Sequence, residues 1–484
     1  MNAVSSNPNI HQEAVLMETI SQIPADYPYS FTGTGQVRIQ GQTCPYQVIC
    51  EDFPIAYADG RVIASVFSYS YRLPGTERPV LFIFNGGPGS PSTWLQMGFL
   101  GPRLAAPDEH GMPRAGAPYA LRDNPDCLLD LCDLVFYNPP GAGYSRLFHV
   151  QDEPLVFGDH ADADAAAVFI RSWLRKYGEK RPIYLLGESF GSTRASLLAY
   201  RLSDLPLKGV LHVGPGITGE ETIPRSIKDL IPCSATRWFH DASPDKPSLQ
   251  EALAPVRQFL YHEYFPSLCI GSMLSNSEYH HCAEKLAAYT GLPADYFLTH
   301  DLKLNRTDFR NMILAEKGLK VGSFDTRFTL PLDADGDPTL ARFDPAMSAS
   351  ARLYDKELGL SLVRPFRENS FDASSAFLWP FNAEEDMEGL GGNWYPMLMT
   401  VAESVRLAYE SNPTLRFFFA TGLYDTVATV ENTRFAVSHT HVPLDHVELH
   451  EYESGHAVYA DETSRHQLAL DIRHFMTEDH HEPA

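Results

Sequence analysis

A serine between two glycines is the first feature of the sequence that suggests chemistry. Ser189 lies in Gly-Glu-Ser-Phe-Gly, residues 187–191, after an apolar run and before a helical pattern. A serine on such a sharp strand-to-helix turn exposes its hydroxyl, and only small residues at the two glycine positions avoid a clash. The pattern predicts that Ser189 is the nucleophile of an acyl-transfer reaction. The alternative is a turn with no chemical role.

A second glycine-rich corner, Asn-Gly-Gly-Pro-Gly at residues 85–89, follows another apolar run. An acyl-transfer site needs two N–H donors aimed at the oxyanion that forms in the transition state. One is normally the residue after the nucleophile, here Phe190, and the other comes from a loop of this kind. We therefore predict an oxyanion hole formed by the backbone amides of Gly87 and Phe190. The alternative is a loop that is glycine-rich only because it turns tightly.

Strands and helices are predicted to alternate around these corners. Short apolar runs indicate buried strands of a parallel sheet, and amphipathic periodicity indicates helices. The predicted strands are residues 61–73, 79–84, 133–137, 182–186, 207–213, 415–420 and 446–452, and the predicted core helices are residues 160–177, 190–202 and 465–475. This order predicts an α/β fold with a mostly parallel, doubly wound sheet.

The pattern of the sequence changes between about residues 216 and 393. Helical patterns such as residues 248–262 and 278–290 dominate there, separated by acidic, proline-rich loops. The simplest interpretation is a sheet interrupted by an insertion. We predict a core formed by residues 1–215 and 394–484, with a largely helical cap insertion at residues 216–393.

Four motifs make the chain resemble the serine carboxypeptidases, peptidase family S10 of the α/β-hydrolase superfamily. They follow the family's order and are residues 85–89 (NGGPG), 138–145 (NPPGAGYS), 187–191 (GESFG) and Gly455-His456. The sequence after residue 85 is most similar to bacterial members. The resemblance implies an α/β-hydrolase fold, an acyl-enzyme mechanism without cofactor or metal, and a triad in the chain order Ser, Asp, His.

Two polar residues follow the last two predicted strands, and the family motif falls on the same pair. Asp425 comes just after the sixth strand and His456 just after the seventh. His456 would take the proton of Ser189, while Asp425 would orient the imidazole and stabilise the imidazolium. Glu431 and Asp445 remain alternatives for Asp425.

The residues that recognise the substrate depart from the family pattern. The resemblance assigns substrate binding to Asn85, Gly86 and Glu188, together with a Trp and a second Glu that bind a C-terminal carboxylate. Aligned without gaps, the Trp position holds Ile83 and the second Glu position holds Phe99. A carboxylate beside Glu188 needs a shared proton, because two like charges do not both ionise at close range. The sequence therefore supports acyl transfer on Ser189 more strongly than it supports a peptide with a free C-terminal carboxylate as the substrate.

Charge and composition exclude several function classes. The 484 residues include Lys+Arg 38 and Asp+Glu 61, a formal net charge of −23, which disfavours binding to nucleic acid and to anionic membranes. No apolar run approaches the length of a membrane span. Residues 1–22 show no signal-peptide pattern, and the cysteine count, seven, is odd. We expect a cytoplasmic protein, the alternative being a secreted or periplasmic one whose signal peptide has been removed.

Three clusters have some metal-ligand character, and we favour a solvated strand face for the first and an acidic surface turn for the third. They are the strand residues His446, Glu448 and His450, the His-His-Cys run at 280–282, and the acidic run at 333–337. The first shares one strand face, the second lacks a partner pair at zinc spacing, and the third lacks the closing glutamate of a calcium loop. No metal or cofactor is expected.

Five charged residues suggest structural roles. Asp159, Asp162 and Asp164 are interpreted as carboxylates at the start of a helix. Asp325 and Arg327, in the insertion, are candidates for an ion pair that shapes the cleft.

The residues predict a serine hydrolase with an acyl-enzyme on Ser189, and the resemblance implies that it removes C-terminal residues from peptides. The expected partner is a peptide or small acyl substrate, and the oligomeric state stays open. Because Ile83 and Phe99 replace two recognition groups, an esterase or acyltransferase on the same scaffold is the alternative. A binding protein with an inactive site is disfavoured, because all three predicted triad residues are present.

Overall fold

The computed structural model describes residues 21–57, 59–73, 78–216, 224–368 and 401–478. The predicted boundary between residues 393 and 394 lies outside these ranges. The predicted division of the chain into a core and a cap insertion therefore remains a prediction.

Fourteen strands are present in the described residues. They are β1 (Ser30–Ile39), β2 (Gln42–Ala56), β3 (Val62–Arg72), β4 (Val80–Phe84), β5 (Arg103–Ala105), β6 (Leu121–Asp123), β7 (Asp133–Tyr137), β8 (Arg146–Leu147), β9 (Ile183–Glu188), β10 (Leu207–Val213), β11 (Leu319–Val321), β12 (Thr329–Pro331), β13 (Arg416–Gly422) and β14 (Val447–Tyr452).

Thirteen α-helices are present in the described residues. They are α1 (Thr93–Leu95), α2 (Asp159–Tyr177), α3 (Phe190–Arg201), α4 (Arg225–His240), α5 (Leu249–Phe259), α6 (Phe265–Ile270), α7 (Asn276–Thr290), α8 (Ala294–Thr299), α9 (Arg306–Met312), α10 (Leu340–Leu358), α11 (Val401–Ser411), α12 (Val430–Ser438) and α13 (Glu462–Thr477). Short π turns (Gln96–Leu100, Leu260–Tyr264) and 3-10 turns (Val150–Leu155, Gly271–Met273, Ala315–Lys317, Leu444–His446) extend or connect them.

Ten of the described strands form one sheet, in the order β1-β2-β3-β7-β4-β9-β10-β13-β14 with β8 paired to β3. From β7 to β14 all neighbours run parallel, and β1, β2 and β3 add an antiparallel edge. All five residues of β4, and likewise of β7, are buried, as expected for strands covered on both faces. The predicted α/β-hydrolase fold with a mostly parallel sheet is confirmed, and the hairpin β1–β2 is an addition that the sequence did not predict.

Helices cover both faces of the sheet. One buried cluster joins the sheet to α2, α3, α11 and α12, and a second joins its other face to α10 and α13. The carboxyl ends of the parallel strands therefore lie at one edge of the sheet, between the two layers of helices. In open α/β sheets this edge is where functional loops meet.

The segment between β10 and α11 contains helices α4 to α10 and the small hairpin β11–β12. Its helices α4 to α9 form a third apolar cluster, which also buries Leu423 and Tyr424 from the loop after β13. Helix α10 packs instead into the cluster on the main sheet. The predicted insertion is thus bound to the sheet at two places.

All seven cysteines are free thiols, including the neighbouring pairs Cys44/Cys50 and Cys127/Cys132. Within the described ranges, no helix is both long and apolar enough to cross a membrane.

Candidate active site

Ser189 lies at the corner between β9 and α3. Its φ of 57° and ψ of −125° belong to a sparsely populated region of backbone conformation. A Cβ on Gly187 would collide with the backbone of Gly191, and a Cβ on Gly191 would collide with the carbonyl oxygen of Phe84. Close backbone contact therefore requires both glycines of the motif, and the corner presents Ser189 at the carboxyl end of a central strand.

The loop at residues 85–89 packs directly against this corner. A Cβ on Gly86 would lie 2.6 Å from the backbone nitrogen of Phe190 and 2.8 Å from Cβ of Ser189. Only glycine permits this approach. Gly87 follows with a φ of 109°, a conformation that favours glycine. The loop and the first turn of α3 thus meet beside Ser189, the arrangement that an oxyanion hole needs.

Asp425 and His456 meet beyond the ends of β13 and β14. Nδ1 of His456 lies 2.7 Å from Oδ2 of Asp425, and both side chains are buried. Oδ1 of Asp425 accepts hydrogen bonds from the backbone N–H groups of Val427 (2.7 Å) and Ala428 (3.0 Å). The carboxylate is thereby fixed in orientation. Because Nδ1 donates to it, the neutral imidazole carries its lone pair on Nε2.

Nε2 of His456 is buried and has no hydrogen-bond partner among the described residues. The chain after β10 lies close to both predicted reactive groups. A Cβ on Gly214 would lie 3.0 Å from Nδ1 of His456, and one on Gly216 would lie 3.6 Å from the carbonyl oxygen of Ser189. The structure therefore brings the three predicted triad residues to one edge of the sheet.

Burial and neighbouring charges shift the pKa values of Glu188 and His456. Burial raises the pKa of Glu188 to about 7, although the charge of His456 and hydrogen bonds from Tyr459 and Asn85 oppose it. Burial lowers the pKa of His456, but the charge and hydrogen bond of Asp425 outweigh burial and raise this pKa above its ordinary value. Glu188 is consequently a carboxyl group that exchanges its proton near neutral pH.

Comparison with known proteins identifies the family of the central segment. Residues 66–207, which include both glycine-rich corners, match the model of the serine carboxypeptidase family. A curated relative, serine carboxypeptidase-like 36 of Arabidopsis thaliana, is 26% identical over 174 residues. That match covers 34% of this chain and 34% of the relative, so it spans about a third of the relative's length.

The similarity to the serine carboxypeptidase family is therefore shown for the central part of the chain. Among solved structures, the chain is similar to a proline iminopeptidase of Mycobacterium smegmatis, with 12% identity, a TM-score of 0.36, and coverage of 88% of this chain and 99% of that chain. It is also similar to an esterase of Thermogutta terrifontis, with 13% identity, a TM-score of 0.34, and coverage of 88% and 98%. Structural similarities this remote say nothing about the reaction or the substrate of this chain.

The two positions at which the resemblance implied a recognition Trp and Glu hold Ile83 on β4 and Phe99 after α1, and both side chains are fully buried. The ring of Phe99 stacks on Tyr459, with centroids 5.3 Å apart and planes 5° apart. The hydroxyl of Tyr459 donates to Oε2 of Glu188 (2.7 Å), and Nδ2 of Asn85 donates to the same oxygen (2.5 Å). A tyrosine that the sequence reasoning missed therefore stands beside Glu188.

A buried ion pair holds the loop at residues 85–89 to helix α3. Nε and Nη2 of Arg194 donate to the two carboxylate oxygens of Asp162, at 2.5 and 2.9 Å, and both side chains are fully buried. Nη1 of Arg194 donates to the carbonyl oxygen of Asn85 (2.9 Å). Asp162 does lie in the first turn of α2, as predicted, but its charge is matched by Arg194 rather than by the helix alone.

Residues 323–327 of the predicted insertion lie between the loops that hold Asp425 and His456. The backbone N–H of His456 donates to the carbonyl oxygen of Phe324 (2.6 Å), and that of Thr426 donates to Ser323 (3.1 Å). The ring of Phe324 also packs against the imidazole, with centroids 5.2 Å apart. This segment therefore fixes the relative position of the two loops.

Arg327 anchors the same segment. It pairs with Asp325 at 2.7 Å, the contact that the sequence suggested. Its further hydrogen bonds, each 3.0 Å long, go to the carbonyl oxygen of Glu453, Oδ2 of Asp461 and Oγ of Ser454. The pair thus joins the insertion to the loop that carries the predicted base, an attachment that the spacing of the two residues did not reveal.

The remaining candidates are engaged elsewhere. Within the described residues there is no group of three or more His, Cys, Asp or Glu side chains arranged to hold a metal ion. Glu448 pairs with Arg416 (2.5 Å) and accepts from His450 (3.1 Å). Of the two alternatives for the acid, Glu431 pairs with an arginine of α5, and Asp445 is exposed.

Proposed function

We propose that this chain is a serine hydrolase that acts as a carboxypeptidase, with Ser189 as nucleophile, His456 as base and Asp425 as the residue that orients the base. One observation carries the proposal. The Asp425–His456 pair lies at the edge of the sheet where Ser189 is presented, and the residue before Ser189 is a buried carboxyl group. This combination supports acyl transfer beside a group able to recognise an acid.

The first half of the proposed reaction forms an acyl-enzyme. Oγ of Ser189 attacks the scissile carbonyl carbon while Nε2 of His456 takes the hydroxyl proton. The N–H groups of Gly87 and Phe190 donate to the oxyanion of the tetrahedral intermediate. When the carbon–nitrogen bond breaks, the imidazolium returns its proton to the leaving amine. Asp425 stabilises the imidazolium throughout, through the 2.7 Å hydrogen bond to Nδ1.

The second half reverses the roles with water as the nucleophile. Nε2 of His456 removes a proton from water, whose oxygen attacks the ester carbon of the acyl-enzyme. The proton then passes to Oγ of Ser189 as the new acid leaves. Helices of the predicted cap insertion, together with the segment at residues 323–327, would limit the shape of the acyl group.

Recognition of the substrate's C-terminal carboxylate is assigned to Asn85, Gly86 and Glu188. A neutral Glu188 donates its proton to that carboxylate, whereas an ionised Glu188 repels it. Because burial raises the pKa of Glu188 to about 7, we expect free acids to bind below that pH and to bind progressively less well above it. The base must be neutral to act, so the two groups together limit the useful pH range.

An esterase or acyltransferase is the second candidate. The observation that favours it is the apolar character of Ile83 and Phe99, both fully buried where the family has recognition groups. Such a site would take esters whose leaving group lacks a carboxylate.

The deciding experiment is hydrolysis of one N-blocked dipeptide offered as free acid, amide and simple ester, at about pH 5.5 and about pH 8, on either side of the pKa of Glu188. Preference for the free acid, stronger at the lower pH, supports the carboxypeptidase. Cleavage of the ester alone contradicts it and supports the second candidate. Ser189→Ala is the inactive variant, and the exposed Ser243→Ala is the matched control.

Labelling with a fluorophosphonate tests whether the site is chemically active at all. The native chain and Ser243→Ala should be labelled, while Ser189→Ala and His456→Ala should not, although both should keep the native circular dichroism spectrum. An unlabelled native chain would favour a binding protein with an inactive site.

A further inference from the structure

The carboxyl group of Glu188 is held by only one of its two oxygens. Oε2 accepts hydrogen bonds from Nδ2 of Asn85 and from the hydroxyl of Tyr459, whereas Oε1 is buried and has no partner among the described residues. A carboxyl proton on Oε2 would face two donor hydrogens, which is unfavourable. When Glu188 is neutral, its proton therefore belongs on Oε1.

The ring of Tyr459 is held firmly where it meets Glu188. Its stack on Phe99 is nearly parallel, with planes 5° apart, and a Cβ on the neighbouring Gly98 would approach Cε2 of the ring to 2.8 Å. Burial raises the pKa of the Tyr459 phenol well above its ordinary value, so the hydroxyl remains a donor throughout the working range of pH. A phenol that stays protonated supplies a hydrogen bond without adding a second negative charge.

The other charges that act on Glu188 come from the predicted triad. The imidazolium of His456 lowers the pKa of Glu188 and the carboxylate of Asp425 raises it, while the hydrogen bonds from Tyr459 and Asn85 lower it. Phe99 occupies the position where the family has a second carboxyl group and contributes no charge. In the proposed recognition site, Glu188 is therefore the carboxyl group that supplies a proton to the substrate.

We propose that Tyr459 is a positioning residue that replaces the second carboxyl group of the recognition site. It fixes Oε2 of Glu188, so that the proton on Oε1 is donated to the C-terminal carboxylate of the substrate. This inference rests on the proposed function. Its consequence is that one proton on one carboxyl group is sufficient for recognition, and the preference for free acids extends from acidic pH to the pH at which Glu188 ionises.

Tyr459→Phe tests the inference, because it keeps the stacked ring and removes only the hydroxyl. The assay measures kcat and KM for a matched free acid and ester between about pH 5 and about pH 8.5. We expect KM for the free acid to rise about tenfold at low pH, the equivalent of one hydrogen bond of about 1.4 kcal/mol. We expect KM for the ester and both kcat values to stay within about twofold.

The pH dependence gives a second readout that a purely structural role would not change. Loss of the hydroxyl removes a hydrogen bond that stabilises ionised Glu188, so the pH above which KM for the free acid rises should move upwards in Tyr459→Phe. Glu188→Gln, whose amide donates at every pH, should show a KM for the free acid that does not change with pH.

Tyr452→Phe is the matched control. Tyr452 is also buried, and its hydroxyl also donates to a carboxylate at 2.7 Å, that of Asp471. This variant should leave both substrates unaffected. If Tyr459→Phe fails to fold, Phe99→Leu, which keeps the hydroxyl but removes the stack, should raise KM for the free acid more than KM for the ester.

Two results overturn the role of Tyr459 alone. They are an unchanged KM for the free acid in Tyr459→Phe, and an equal rise of KM for free acid and ester. If the native chain itself shows no preference for the free acid, the proposed carboxypeptidase function fails first and the inference fails with it. The native chain thus distinguishes the two failures.

Discussion

Replacing Arg194 by methionine tests the ion pair that joins helices α2 and α3 to the loop at residues 85–89. The guanidinium and the carboxylate of Asp162 are both fully buried and are linked by two hydrogen bonds. Removing one partner of a buried pair leaves an uncompensated charge and typically costs about 3–5 kcal/mol. Loss of the hydrogen bond to the carbonyl oxygen of Asn85 adds about 1 kcal/mol or more.

The expected result is a decrease in the free energy of unfolding of about 4–6 kcal/mol, together with lower kcat because the loop loses its anchor. Arg171→Met is the matched control, since Arg171 on α2 pairs with Asp204 just after α3, so both ion pairs bridge the same region. That pair is largely exposed, with side-chain exposures of 38% and 62%, so we expect a cost below about 1 kcal/mol.

The assay is urea denaturation of the two variants, of the native chain and of the double variant Asp162→Leu/Arg194→Met. The double variant should be more stable than Arg194→Met, because it removes the buried charge together with its partner. Equal costs for Arg194→Met and Arg171→Met would refute the reasoning. So would a double variant less stable than Arg194→Met.

Three further substitutions test the predicted triad and its neighbour. Asp425→Asn should lower kcat by about 10³–10⁴-fold and move the acidic limb of the pH profile to lower pH, because His456 loses the charge that raises its pKa; an unmoved limb contradicts this. Burial raises the pKa of Glu188 from 4.5 to about 7, so its contribution to stability is complete below pH 4.5 and is lost as the pH rises through about 7. Denaturation across this range should show that fall in the native chain, and a fall of the same size in Glu188→Gln would exclude Glu188 as its source. Ser189→Gly should abolish turnover yet raise the free energy of unfolding by about 1 kcal/mol, because glycine relieves the positive φ, and a less stable variant argues against strain.

The sheet, and the strand ends that carry the predicted triad residues, could be predicted from the sequence because their signals are local. The strand predicted at residues 79–84 is β4. Every residue of β4 is buried, so its run of apolar residues was sufficient to predict it. Asp425 and His456 follow β13 and β14, which the alternation of their residues predicted, and parallel strands end at one edge. Chain order and strand ends were therefore sufficient to bring these residues together.

Strand β1 was missed because its pattern is weak. In Ser30–Ile39 most positions are exposed or only partly buried, and two glycines and two threonines fall among them. Such a strand is stabilised by pairing with β2 over its whole length rather than by its own hydrophobic residues. Edge strands of this kind carry little signal in a single sequence.

The residues that surround the site were missed for a different reason. Tyr459 and Glu188 are separated by 271 positions in the chain, and Arg194 and Asn85 by 109. No sequence pattern identifies the residue that a buried tyrosine or arginine will contact. Each of these contacts forms only when the sheet brings distant parts of the chain together. Substitution of the family's second glutamate by Phe99 was visible in the sequence, but its stacking partner was not.

The segment at residues 323–327 changes how the predicted insertion should be regarded. A cap that only covered a site could vary in sequence without affecting the chemistry beneath it. Here the carbonyl oxygen of Phe324 accepts a hydrogen bond from the backbone of His456, and that of Ser323 accepts one from the backbone of Thr426. A shift of this segment would therefore move the base relative to Asp425, and proton transfer depends steeply on that distance and angle. Changes in the sequence of this segment should accordingly alter kcat, because its backbone aligns the loops that carry Asp425 and His456.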